Sequence, residues 1–248
     1  MINMGKFWDK VRKAQDKTRP FCTALVPAAG QSTRMGQDKL MMELAGAPVL
    51  MRTLCAIDQA ELVDEIIVAV REEQLLTVAD LCSRCALRKP VKVVRGGETR
   101  AMSVLAAAVE ANPKAKLLAV HDAARPLVTP QEFDKLIRFA CRTNAAAPAV
   151  PVTDTIKQVD PQTGLVLATP ERSGLYAVQT PQIFEASLLK AALQSAIDAG
   201  IQVTDDCAAV ERLGKQVYLA QGSRENIKLT TPFDLLVAEA ILRERERG

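Results

Sequence analysis

The sequence predicts an α/β fold: a doubly wound, mostly parallel sheet covered on both faces, with a projecting β-hairpin arm. Three observations carry this. Apolar strand-like runs alternate with helical stretches at short spacing through the first 150 residues, the pattern of an open parallel sheet. The first apolar run leads into a small-residue turn, Ala28-Ala29-Gly30. Later runs end at Gly96-Gly97 and at Asp122, and ligands in such folds sit at the carboxyl ends of strands.

Phe21 to Ala28 reads as a short buried strand. Leu40 to Leu44 leads to a turn at Ala45-Gly46-Ala47. Pro48 suits a first helical position, and Val49 to Ala60 continues as a helix. Val63 to Val70 is a β-branched strand, Glu72 to Arg84 a helix, and Val91 to Val94 a short strand. Thr99 to Ala111 is helical. Lys116 to Val120 is a strand that runs into His121-Asp122-Ala123-Ala124-Arg125-Pro126. Thr129 can cap a helix from Pro130 to Arg142, and Ala145 to Val152 is again a strand. From Thr153 to Gln179 the rhythm breaks. Two short strand-like runs flank Pro161-Gln162-Thr163-Gly164, a hairpin. Its apolar content is too low for a domain, so it reads as an arm over about residues 153–170. Helices follow over Glu185 to Ala199 and Asp205 to Leu213, then strands over Val217 to Ala220 and Asn226 to Leu229. Thr231-Pro232 opens a final helix to about Arg245.

The 248 residues are thus read as one domain, 21–248, behind an N-terminal extension, 1–20. Phe7, Trp8 and Val11 can share one face of a short helix in that extension. A hydrophobic content of 48% supports a sizeable core, and a net charge of +3 gives no argument for a nucleic-acid partner. No apolar run is long enough to span a bilayer. The first twenty residues lack the apolar core of an export signal. Of six cysteines only Cys82 and Cys85 have C-x-x-C spacing, and His121 is the one histidine, so a zinc site lacks ligands. Reduced thiols in the cytoplasm are the expectation.

The chemistry gathers at strand ends. Ala28, Ala29 and Gly30 permit close approach of backbone to a ligand, and Gly30 permits positive φ. Peptide N–H groups in such a turn can cradle phosphate oxygens. Arg34 and Lys39 add positive charge beside them. The spacing is neither a Walker A loop nor Gly-x-Gly-x-x-Gly; together these features read as a nucleoside triphosphate site. Asp122 is the metal candidate, since a strand-end carboxylate beside a triphosphate can hold Mg²⁺. His121 points to the other side of its strand and reads as structural. Arg125 can ion-pair. In Gly96-Gly97-Glu98-Thr99-Arg100-Ala101-Met102-Ser103 the glycines admit a flat group such as a base, and Ser103 can hydrogen-bond it. Arg172, after the arm, can clamp a phosphate, and Lys228 can supply another charge.

Read together, these segments resemble the 2-C-methyl-D-erythritol 4-phosphate cytidylyltransferase family of the non-mevalonate isoprenoid pathway. Five blocks match in order: Pro27-Ala28-Ala29-Gly30 through Arg34-Met35, Gly96-Gly97 through Ser103-Val104, His121 through Pro126, Gln179-Thr180-Pro181-Gln182, and Asn226-Ile227-Lys228. The first block alone suits molybdenum-cofactor or sugar-phosphate nucleotidyltransferases equally; the other four tip the balance. The resemblance implies a Rossmann-like nucleotidyltransferase sheet that transfers the cytidylyl group of CTP to methylerythritol phosphate with Mg²⁺. By matching position, Arg34 and Lys39 would stabilise the transition state at the α-phosphorus. Ala28, Ala29, Gly30, Gly97, Glu98 and Ser103 would surround the nucleotide, and Asp122 would hold the metal. Arg172 and Lys228 would position the acceptor, with Arg125, Thr155 and Thr180 nearby. The resemblance further implies a homodimer in which the arm crosses to the partner. Asp38 and Leu40 flank Lys39 where the family usually has proline and glutamine, and Glu98 replaces a commoner aspartate. A ribitol-phosphate cytidylyltransferase, a molybdenum-cofactor nucleotidyltransferase or a nucleotide-binding regulator without turnover are the alternatives that this loop leaves open.

Overall fold

A computed structural model describes residues 19–30 and 40–247. The expected extension, with its Phe7, Trp8 and Val11 face, lies outside the described residues apart from its last two positions, and so do Arg34 and Lys39. Arg19 pairs with Asp64 at 2.7 Å, tying the start of the described chain to the sheet.

The described residues form one eight-stranded sheet. At its centre lies β1 (Phe21–Pro27), parallel to β4 (Glu65–Val70) on one side and to β6 (Ala115–Val120) on the other. Beyond β4 lies the parallel β5 (Val91–Arg95). Beyond β6 come β11 (Gln182–Glu185), antiparallel to it, and β7 (Ala145–Pro151). Parallel β12 (Tyr218–Gln221) and antiparallel β10 (Tyr176–Val178) both pair with β7. The sheet is therefore mixed but mostly parallel, as the alternation of strands and helices requires.

Side chains alternate across β1, as period two dictates. Cys22, Ala24 and Val26 enter a core with α1 (Val49–Gln59), α2 (Leu75–Arg84) and α4 (Pro130–Thr143), where Leu54, Ile57 and Phe133 are buried. Leu25 enters the opposite core with α3 (Arg100–Val109), α5 (Ala186–Asp198) and α6 (Asp206–Arg212). Two cores on two faces are the doubly wound arrangement. A third, smaller cluster of Leu44, Val49, Leu127, Leu229 and Ala238 docks the last helix, α7 (Pro232–Arg245). The expected helix starts hold: Thr129 and Thr231 each form a reciprocal capping box, with Glu132 and Asp234.

Several local expectations need correction. Pro48 caps α1 rather than opening it, because it closes a tiny hairpin of β2 (Glu43–Leu44) with β3 (Ala47–Pro48). Glu72–Gln74 is a 3-10 turn ahead of α2. β10 and β11 were not expected; each is at most four residues long, and both lie in stretches read as loop or motif. Asn226 to Leu229 is not a strand. Its backbone bonds go to loops instead: Leu229 N–H donates to Ala124 O at 2.8 Å, and Arg125 Nη1 donates to Asn226 O at 2.7 Å. Gly30 does not use its left-handed freedom, since its φ is not positive.

The arm is a hairpin of β8 (Gln158–Val159) and β9 (Val166–Ala168). Asp160 Oδ1 accepts from the N–H groups of Gln162 and Thr163 and so closes the turn, with Gly164 at φ +72°. Ile156, Val159, Leu165, Val166 and Leu167 are all exposed, a row of apolar side chains that the single chain leaves uncovered.

Candidate active site

Five chain segments meet in a crevice of about 200 Å³ at the carboxyl ends of β1, β5 and β6. Pro27 to Gly30 forms one wall, Gly97 to Arg100 with Ser103 another, and Asp122 to Ala124 the floor; Leu40 and Lys228 complete it. The crevice opens where the chain leaves β1 in both directions of the sheet, the switch point at which such folds bind ligands.

Each wall is held by backbone bonds. Ala28 N–H donates to Ala69 O and Gly96 N–H to Val70 O, both at 2.7 Å, so the turns after β1 and β5 are laced over the end of β4. Gly96 is squeezed between them: a Cβ there would lie 2.8 Å from Ala29 Cβ and 2.9 Å from Ser103 Oγ. Ser103 Oγ accepts from Gly97 N–H at 3.1 Å and donates within the same turn, toward Thr99 O or Gly97 O. Thr99 caps α3 by accepting from Met102 N–H.

The floor is a charge cluster around Asp122. Lys228 Nζ lies 2.9 Å and Arg125 Nε 3.6 Å from Asp122 Oδ2, while Arg100 Nη1 lies 3.2 Å from Oδ1. Burial alone would raise this carboxyl, but Arg100, Lys228 and Arg125 outweigh it and hold it well below the usual carboxylate range. Asp122 is therefore ionised at neutral pH. Among the described residues no three His, Cys, Asp or Glu side chains are grouped to hold a metal by themselves. A single hard carboxylate fits Mg²⁺ when phosphate oxygens and water supply the other ligands.

His121 explains how Asp122 is aimed. Its Nε2 lies 3.1 Å from Arg125 O, an acceptor, so the ring proton sits on Nε2. Nδ1 is then the acceptor for the Thr180 hydroxyl at 3.1 Å, and that hydroxyl accepts in turn from Asp122 N–H at 3.0 Å. Burial pushes His121 down to about 4, so it stays neutral. Asn226 Nδ2 donates to Thr180 O at 2.9 Å, which seats the Lys228 segment against the same loop.

The described residues expected at the site divide in three. Ala28, Ala29, Gly30, Gly97, Glu98, Ser103, Asp122 and Lys228 line one crevice. Arg125 and Thr180 stand behind Asp122 as its supports, and Thr180 is buried with its hydroxyl bonded to the Asp122 N–H and to His121 Nδ1. Thr155 lies on the arm and Arg172 just after it, and neither lines the crevice; Arg172 is exposed and donates to Thr153 O at 2.7 Å.

The sequence assigns Arg100 no role beyond its place in the Gly96–Ser103 block. It is the first residue of α3, where exposed backbone N–H groups already favour anions. A cation placed there needs a carboxylate nearby, and that anomaly is the signal that could have singled it out. Its partner Asp206, 2.7 Å away, begins a helix, where an acidic residue is ordinary, so nothing local marks it.

Comparisons with known proteins agree with this geometry. The profile described as "IspD: 2-C-methyl-D-erythritol 4-phosphate cytidylyltransferase" matches residues 22–244. A protein of that name from Halalkalibacterium halodurans is 43% identical over 227 residues, 91% of this chain and 98% of the relative. Another of that name, from Bacillus pumilus, is 44% identical and covers 90% of this chain and 97% of its own length. The crystal structure of 4-diphosphocytidyl-2C-methyl-D-erythritol synthase from Anaerococcus prevotii superposes with a TM-score of 0.80 at 29% identity, over 90% of this chain and 99% of that one. With residues of four of the five sequence blocks lining one crevice, Thr180 of the remaining block bonded behind Asp122, and a matching profile over nearly the whole described chain, the protein belongs to the 2-C-methyl-D-erythritol 4-phosphate cytidylyltransferase family.

Proposed function

We propose that the crevice transfers the cytidylyl group of CTP to 2-C-methyl-D-erythritol 4-phosphate, giving 4-diphosphocytidyl-2-C-methyl-D-erythritol and pyrophosphate, with Mg²⁺ as cofactor. A phosphate oxygen of the acceptor attacks the α-phosphorus, and the bond to the bridging oxygen of pyrophosphate breaks. The acceptor phosphate is already anionic near neutral pH, so no general base is needed, and catalysis reduces to positioning and charge neutralisation. Bound Mg²⁺ would neutralise triphosphate charge, and Asp122 is the residue to hold it.

The turn at Ala28, Ala29 and Gly30 would receive the triphosphate on its backbone, with Arg34 and Lys39 stabilising the charge that builds at the α-phosphorus. Gly97, Glu98 and Ser103 would receive the base and ribose. Lys228, with its flexible stem, would turn from Asp122 toward the acceptor phosphate. Arg172 and Thr155 would act in the crevice of a second subunit. The exposed apolar row of the arm supports that reading, because a two-stranded hairpin needs a surface to pack on. The enzyme would work in the cytoplasm, with its thiols reduced; all six cysteines are free, and no helix among the described residues is long and apolar enough to cross a membrane.

The single observation that carries the proposal is the convergence of an ionised, cation-ringed Asp122 with the two small-residue turns in one crevice. Pyrophosphate release tests it. Turnover is expected with CTP and methylerythritol phosphate, lost on chelation and restored by Mg²⁺. Faster turnover with ribitol phosphate or molybdopterin, or none with any acceptor, would overturn it.

A further inference from the structure

We propose that Arg100 is a positioning residue that spans two carboxylates, Asp206 and Asp122, and so fixes the Asp122 carboxylate in its working orientation. The inference rests on the role of Asp122 given above and adds residues to it.

The geometry is that of a fixed fork. Arg100 Nη2 lies 2.7 Å from Asp206 Oδ2, and Nη1 lies 3.2 Å from Asp122 Oδ1. Asp206 is 1% exposed, and a buried carboxylate needs a charged partner. Asp206 is itself immobile. Gln182 Oε1 accepts from the N–H groups of Asp206 and Cys207, both at 3.1 Å, and Gln182 Nε2 donates to Asp205 Oδ2 at 2.8 Å. β11, the start of α6 and the start of α3 are thereby joined under the crevice. Arg100 transmits that rigidity to one oxygen of Asp122. The other oxygen faces Arg125 and the half-exposed Lys228, the partner whose stem can swing away.

Arg100 is not a phosphate clamp. Its two terminal nitrogens are occupied by two carboxylates, so its charge is already balanced. The surplus charge of the cluster lies on the Lys228 and Arg125 side. Both lysine and arginine could neutralise Asp206, but only the planar fork reaches both carboxylates at once.

A bridge that merely stabilises the fold and one that aims Asp122 make different predictions. Two variants of the full chain separate them. Arg100→Lys keeps a cation beside the buried Asp206. The double variant R100Q/D206N replaces the ion pair by two amides and leaves no uncompensated buried charge. Each is measured for melting temperature, for CTP binding by calorimetry, and for kcat and acceptor KM by pyrophosphate release. Both are expected to fold and to bind CTP within about threefold of the wild type, while kcat falls on the order of a hundredfold, the scale of a misplaced reacting group. A kcat within about threefold of wild type in either folded variant would overturn the positioning role. So would losses of kcat matched by equal losses of CTP affinity. A wild-type chain without turnover would instead overturn the functional reading, so the two failures are distinct.

Discussion

Gly96 is where the turns after β1 and β5 pack against each other, and replacing it with alanine tests the site's construction directly. A Cβ at this position would lie 2.8 Å from Ala29 Cβ, 2.9 Å from Ser103 Oγ and 3.3 Å from Ser103 Cβ. Ordinary contact begins at 3.4 Å, so the Ala29 and Gly96 turns must separate by 0.6 Å (3.4 minus 2.8). Neither neighbour yields cheaply. Ala29 Cβ is bonded to backbone, and Ser103 Oγ is tied to Gly97 N–H and Thr99 O. Overpacking of this kind costs about 1–3 kcal/mol, which lowers the melting temperature by roughly 2–10 °C for a chain of this size. The displacement falls between the groups proposed to hold CTP. A shift of ~1 Å costs about a hundredfold in rate, so 0.6 Å is expected to lower kcat/KM for CTP by about tenfold or more. The assay is pyrophosphate release across CTP concentrations, beside a thermal melt. The compensating change is Ala29→Gly, which removes the nearer clash; the double variant should recover most of the stability and part of the rate. Gly30→Ala, where nothing among the described residues lies within 4 Å, should melt like wild type. Wild-type kcat/KM and melting temperature in the Gly96→Ala chain would refute the packing argument, as would a double variant no better than the single.

Other outcomes follow from the same structure. Lys39→Ala should lower kcat by at least about a hundredfold, the cost of losing one electrostatic donor to the transition state, with a much smaller effect on CTP affinity; near-normal kcat would move the role to Arg34 alone. If the arm completes the partner's site, Lys39→Ala and Arg172→Ala homodimers are each nearly inactive, whereas co-refolding equal amounts should restore about a quarter of wild-type activity. Mixed dimers demonstrated by mass and still inactive would place the site within one chain. His121 titrates at about 4 in the folded chain against 6.5 unfolded, so the unfolded state takes up the proton first and stability falls as pH drops from 6.5 toward 4. Between pH 7 and pH 5 this amounts to about 2 kcal/mol. Urea unfolding of the wild type should show that loss and the His121→Gln chain should lack it; parallel losses in both would show that the ring is not neutral in the folded state.

The sequence by itself determined the helices, the parallel strands and their order, because those follow from rules that act over a few residues. Apolar and β-branched runs made the parallel strands, and Thr129 and Thr231 before prolines made the helix starts. The short spacing of strands and helices left a doubly wound sheet as the arrangement that covers both faces. It also determined most of the crevice wall, since residues that follow parallel strands must emerge at the same edge. Only the tertiary structure decided how the site is braced. Arg100 meets Asp206, 106 positions away, and the Asp122 amide meets the Thr180 hydroxyl, 58 away. Burial makes a partner obligatory for each of these groups but does not say which residue it is. The packed chain likewise set the Thr180 hydroxyl behind the Asp122 amide, and turned the Lys228 segment from a strand into a docked loop. Periodicity records which face of an element is covered. Which side chain from another element covers it is a property of the packed chain, and the charge cluster under the crevice exists only there.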